Sequence, residues 1–134
     1  MTEDSFAHLR ERGMRRMLEV TCADETTPAP PIEPRSVEDH AVTVVFGDLW
    51  CGEALSDRDR RLITLGVLGA LGAERELPWH IKGALESGDL TPEQLREVTL
   101  QIAHYAGVPR GASMSAIIRE TTGATSPDEK GGQR

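Results

Sequence analysis

The 134-residue chain is predicted to be all-α, with about six helices. Three observations carry that reading. Apolar residues recur at helical spacing along most of the chain. Helix-start signatures, Ser36-x-x-Asp39, Ser56-x-x-Asp59 and Thr91-Pro92-Glu93-Gln94, stand just ahead of three of those runs. The chain has only two Trp, two Phe and one Tyr, so a core must be packed from Ala, Leu, Val and Ile.

The first helix is expected over residues 4–20, with Phe6, Leu9, Met14, Met17 and Leu18 at helical spacing and Gly13 weakening it by ~1 kcal/mol relative to Ala. Arg10, Arg12, Arg15 and Arg16 alternate with Glu11 and Glu19 and read as a solvated face. Residues 21–35 form a Pro-rich linker. Ser36 then opens a second helix whose face carries Val37, His40, Ala41, Val44, Val45 and Leu49. The run AVTVV also suits a strand, but helix is favoured.

Ser56 caps the third helix, which is apolar nearly all round: Leu62, Ile63, Leu65, Leu68 and Leu71, with Gly66, Gly69, Ala70 and Gly72 allowing close approach. Such a helix is buried in a core or in a subunit interface. The fourth spans Glu74 to Ser87 and stops at Gly88; Pro78 must lie in its first turn, so it starts near Glu76 or Leu77. The fifth runs from Thr91 to Gly107 through Leu95, Val98, Ile102 and a core-packed Tyr105. Pro109 begins the sixth, which ends at Thr121–Gly123. Residues 1–122 are read as one domain and residues 123–134 as a disordered tail.

With 22 acidic against 15 basic residues, net charge −7, the acidic excess argues against nucleic acid as the main partner, since phosphate binding needs clustered Lys and Arg. Two cysteines, Cys22 and Cys51, make neither a disulfide framework nor a CxxC site. The polar, acidic N-terminus and the absence of a long apolar run argue against a leader peptide or a membrane span, so a soluble, cytoplasmic protein is expected.

Glu76 and His80 are the strongest chemical candidates. Four residues apart on a helix, they share a face, and a carboxylate beside an imidazole fixes its tautomer and raises its basicity. The plainer reading is a surface histidine with a helix-stabilising neighbour. No second histidine lies a turn away, so no metal site is expected. Arg58, Arg60 and Arg61 begin the third helix against its dipole; surface ion pairing accounts for two, and the third suits a cleft where it grips a carboxylate. His104 and Tyr105 are weaker candidates, and Cys51 reads as a structural thiol rather than a nucleophile.

Taken together, RGMRRMLEV (12–20), FGDLW (46–50), the run from Leu55 through ERELPWH to Val98, and IAHYAGVPRGASM (102–114) resemble the carboxymuconolactone decarboxylase family of the alkylhydroperoxidase D-like superfamily. The resemblance implies an alkylhydroperoxidase D-like helical domain, oligomerising through the long apolar helix as a homotrimer or homohexamer. It implies a lyase that needs no cofactor and acts on a small carboxylate or lactone. His80 oriented by Glu76 would be the proton donor, Arg58 or Arg61 would bind a carboxylate or oxyanion, and Tyr105 would donate a hydrogen bond, with Trp50 and His104 also lining the pocket. The superfamily's redox cysteines would fall on Ala73 and Glu76, so peroxidase chemistry is not expected. Gly52 stands where family decarboxylases carry the arginine of W-x-R, which leaves the substrate open. Aromatic catabolism is the first expected setting and a tailoring isomerase or cyclase of secondary metabolism the second. A non-catalytic oligomeric binding protein is the alternative from another class, and a thiol peroxidase-like role ranks third.

Overall fold

The computed structural model describes residues 2–24 and 31–124, and every regular element among them is helical. Six α-helices occur in order: α1 (Glu3–Thr21), α2 (Val37–His40), α3 (Asp57–Leu71), α4 (Leu77–Glu86), α5 (Pro92–Ala106) and α6 (Val108–Thr122). Residues 25–30 of the expected linker and residues 125–134 of the expected tail lie outside the described residues.

The start signals work as the sequence suggests. Ser36, Ser56 and Thr91 accept from the backbone N–H three residues on, and Gln94 returns the bond to Thr91 to complete a capping box. Pro78 falls in the first turn of α4, where its missing N–H costs nothing. Beyond that helix Gly88 takes φ +77, and the Leu90 N–H reaches back to the Ala84 carbonyl at 3.0 Å.

The second expected helix differs. After one α turn, Ala41–Phe46 widens into a π-helix in which the Gly47 N–H bonds to the Val42 carbonyl five residues back, and Leu49–Cys51 closes as a 3-10 turn. The wider turn shifts the phase of the residues beyond it, so the continuous face expected from Val37 to Leu49 does not form. Leu49 is exposed and Trp50 is buried in its stead.

The core lies among α3, α4, α5 and α6, where Leu65, Leu77, Ile81, Leu95, Ile102 and Met114 meet. Each such side chain contributes ~1.5–3 kcal/mol relative to exposure. α1 packs on the π segment and on α4. Its arginines are not simply a solvated face. Arg10 pairs with Asp39 at 3.0 Å, the Arg12 Nε donates to the Gly47 carbonyl at 2.6 Å, and Arg16 bonds the Trp50 carbonyl at 3.0 Å while pairing with Asp57. Only Arg15, ion-paired to Glu11 on the surface, fits the sequence reading. The structure thus uses α1 to hold the segment that delivers Trp50.

Candidate functional site

Arg61 begins the site. One turn into α3 it points inward and is 1 % exposed. Its Nε donates to Asp89 Oδ2 at 3.0 Å and its Nη2 to the Val20 carbonyl at 3.0 Å, while Nη1 makes a long 3.5 Å contact to the His80 carbonyl. The guanidinium carbon also sits 5.8 Å from the centroid of the Trp50 ring, within cation–π range. A guanidinium this buried needs all these partners, because an unpaired charge at such depth is strongly destabilising.

Trp50 bridges Arg61 to His80. The imidazole stacks on the indole with centroids 6.1 Å apart and planes 21° from parallel, and Phe46 also stacks with the tryptophan, centroids 6.4 Å apart. His80 is itself buried, and its Nδ1 has no hydrogen-bond partner among the described residues. Burial pushes its pKa down to about 4, and the charge of Arg61 pushes the same way. The free ring is therefore neutral at neutral pH.

Of the residues singled out from sequence, His80, Trp50 and Arg61 come together. Glu76 stands at the N-cap of α4, half-buried, and no hydrogen bond joins it to the ring among the described residues. The reason is local: Glu76 precedes the regular turns of the helix, and the imidazole is turned onto Trp50. Arg58 is exposed at the start of α3. Tyr105 is not core-packed but 85 % exposed, and His104 is also on the outer face of α5, where its Nδ1 lies 2.8 Å from the Leu100 carbonyl. The core-facing stripe of Leu95, Val98 and Ile102 ends before the last turn of α5, where His104, Tyr105 and Ala106 are all exposed. Both cysteines are free thiols, and Cys51 donates to the Phe46 carbonyl at 3.3 Å.

Asp89 is the site residue that sequence reasoning misses. Placed directly after Gly88, it reads as part of a helix stop, and only the fold brings it to Arg61, 28 positions earlier. The cleft arginine does grip a carboxylate, but one from its own chain. Two surface hollows lie elsewhere: one of about 490 Å³ between α1 and the Pro34–Asp39 turn, another beside Arg15 and Leu18. Neither is lined by His80, Trp50 or Arg61.

The model of the carboxymuconolactone decarboxylase family matches residues 37–120. The chain belongs to this family. Similar proteins include a 4-carboxymuconolactone decarboxylase of Acinetobacter baylyi, 38% identical over 75 residues, covering 56% of this chain and 55% of the relative. A nitrosuccinic acid decarboxylase, npaB, of Metarhizium robertsii is 32% identical over 76 residues, covering 57% of this chain and 52% of the relative. The chain thus spans about half the length of these curated relatives. Trp50, Arg61, His80 and Asp89 all fall inside the family match, whereas α1, with its Val20 carbonyl and Arg16, lies outside it. No helix among the described residues is long and apolar enough to cross a membrane.

Proposed function

We propose that the protein is a decarboxylase acting on a small carboxylic acid whose own carbonyl, lactone or nitro group takes up the electrons left by CO2. Family membership and two relatives named as decarboxylases support the reaction class. The single observation that carries the site is the buried Nδ1 of His80, which has no hydrogen-bond partner among the described residues. A polar atom held away from water without a partner is costly in a finished fold, and a ligand that meets it recovers that cost.

The chemistry is set by the electrostatics. Breaking the carbon–carboxylate bond leaves an electron pair that moves into the sink, and the resulting enolate or nitronate carbon must then receive a proton. His80 starts neutral. An anionic substrate beside it offsets the charge of Arg61 and favours the imidazolium, so the ring gains its proton along with the substrate. Once CO2 has left, the ring returns that proton to carbon. The apolar stack of Trp50 and Phe46 withholds water, which weakens solvation of the departing carboxylate. Glu76, at the helix start, would act on the acid only after turning toward the ring, and Arg58, His104 and Tyr105 would reach a substrate only from a neighbouring subunit.

Assembly is part of the proposal. Ile63, Val67 and Leu71 form an exposed apolar stripe on α3, and the face around Gly66 is open. A homo-oligomer that covers this stripe removes it from water without any change in the fold of the single chain.

The test is CO2 release from 4-carboxymuconolactone and from nitrosuccinate by wild type and His80→Gln. Loss of a positioned proton donor predicts a kcat lower by roughly 10²–10⁴-fold. Equal turnover by the variant on whichever acid wild type consumes would refute His80 as the donor. Tight binding of both acids without CO2 release would favour a ligand-binding protein.

A further inference from the structure

Asp89 takes no part in the proposed reaction, yet it holds the charge on which the site is built. Its carboxylate, 22 % exposed, meets Arg61 Nε at 3.0 Å, while the arginine side chain is 1 % exposed. Arg61 in turn ties four separate pieces of chain together. These are the end of α1 through the Val20 carbonyl, the 3-10 turn through the Trp50 ring, α4 through the His80 carbonyl, and the loop after α4 through Asp89. Among these partners only Asp89 carries charge; the rest are two carbonyls and a ring face. A guanidinium buried among neutral groups alone has no reason to stay in place when it can rotate toward water.

The fit around Arg61 is close. Gly83, one turn beyond His80 on α4, has no side chain where the guanidinium passes; a Cβ there would lie 2.8 Å from Arg61 Nη1 and would strike the Val20 carbonyl oxygen. The backbone of α4 is therefore pressed against the group that Asp89 anchors. A shift of Arg61 changes the support under Trp50, and His80 rests on Trp50.

We infer that Asp89 is a positioning residue for His80, acting through Arg61 and the Trp50 ring. The inference rests on the reading of His80 as the working residue, but its main test does not need a substrate. Exposed Trp79 is the second tryptophan of the chain. In a Trp79→Phe background the indole signals belong to Trp50 alone, and the stacked His80 ring protons carry its ring-current shift in the NMR spectrum.

In that background Asp89→Asn, which removes the charge but keeps an acceptor, is expected to move the His80 ring protons toward the position of an unstacked histidine. Asp89→Glu, which can still reach Arg61, is expected to restore much of the shift. On an acid that wild type turns over, Asp89→Asn lowers kcat by roughly tenfold to a hundredfold with KM little changed, the cost of a misplaced reacting group. Arg61→Lys, which keeps the charge without the fork, should behave like Asp89→Asn and serves if that variant does not fold. If the variants lose thermal stability while the His80 shift stays at its wild-type value, Asp89 is a structural brace only and the inference is overturned. An unmoved shift together with an inactive His80→Gln overturns it and leaves the proposed function standing. A moved shift with an active His80→Gln supports the positioning and removes the proposed function.

Discussion

His80 illustrates how a side chain's surroundings decide its chemistry. In the sequence it is an imidazole with a carboxylate four residues earlier, a pairing that raises basicity. In the fold the carboxylate makes no bond to it, and burial together with Arg61 depresses its pKa to about 4. Stability then depends on pH. The unfolded ring titrates near 6.5 and the folded one near 4, so between those values the unfolded chain holds the extra proton. The contribution of this group is complete above pH 6.5 and is lost as the pH falls toward 4, a change on the order of 3 kcal/mol. Urea unfolding at pH 7 and pH 4.5 should show that loss in wild type and a smaller one in His80→Gln. An equal loss in both would mean that other groups govern the acid limb.

Among the elements, α1 and the π segment are the pair least legible in the sequence. Gly13 reads as a flaw in a helix, since Ala would be better there by ~1 kcal/mol on propensity alone. In the structure a Cβ at Gly13 would collide with the Val42 carbonyl oxygen, and one at Gly47 with the carbonyl oxygens of Thr43 and Leu9. The two segments approach backbone to backbone, and glycine is what allows it. Gly13→Ala should therefore destabilise the protein by ~1–3 kcal/mol, the usual cost of overpacking, against the propensity gain. Thermal denaturation decides between the two effects by the sign of the change in Tm. Helices α3 and α5 are readable because side-chain caps and apolar spacing agree in each, and α6 because Pro109 stands in its first turn and Gly123 closes it. The π turn is not, because the β-branched run Val42–Val45 signals an extended or helical chain but carries no mark of a five-residue hydrogen bond.

At the scale of the molecule, the single chain leaves α3 with two different faces. Arg61, Leu65 and Gly69 are inside, while Ile63, Val67 and Leu71 remain in solvent. The near-continuous apolarity of α3 in the sequence is thus only half accounted for by this chain's own core. The proposed self-association would account for the rest. Sedimentation equilibrium should find wild type as an oligomer and Val67→Asp shifted toward monomer, because a carboxylate desolvated at a subunit contact is unfavourable. A monomeric wild type would remove this part of the proposal. Tyr105 and Leu100 are exposed as well, on α5, so that helix also presents apolar surface to solvent.

The amino-acid order alone determined the helical class, five of the six α-helices to within a turn, and the family, because caps, periodicity and the run through ERELPWH are local patterns. It also marked His80, Trp50 and Arg61. Tertiary structure decided what those residues face. Asp89 reaching Arg61, Trp50 turning inward after a π turn, and an imidazole whose Nδ1 has no partner among the described residues all depend on where separate helices meet. Burial and charge at a point in space are sums over neighbours distant in the chain, and no local spacing encodes that sum.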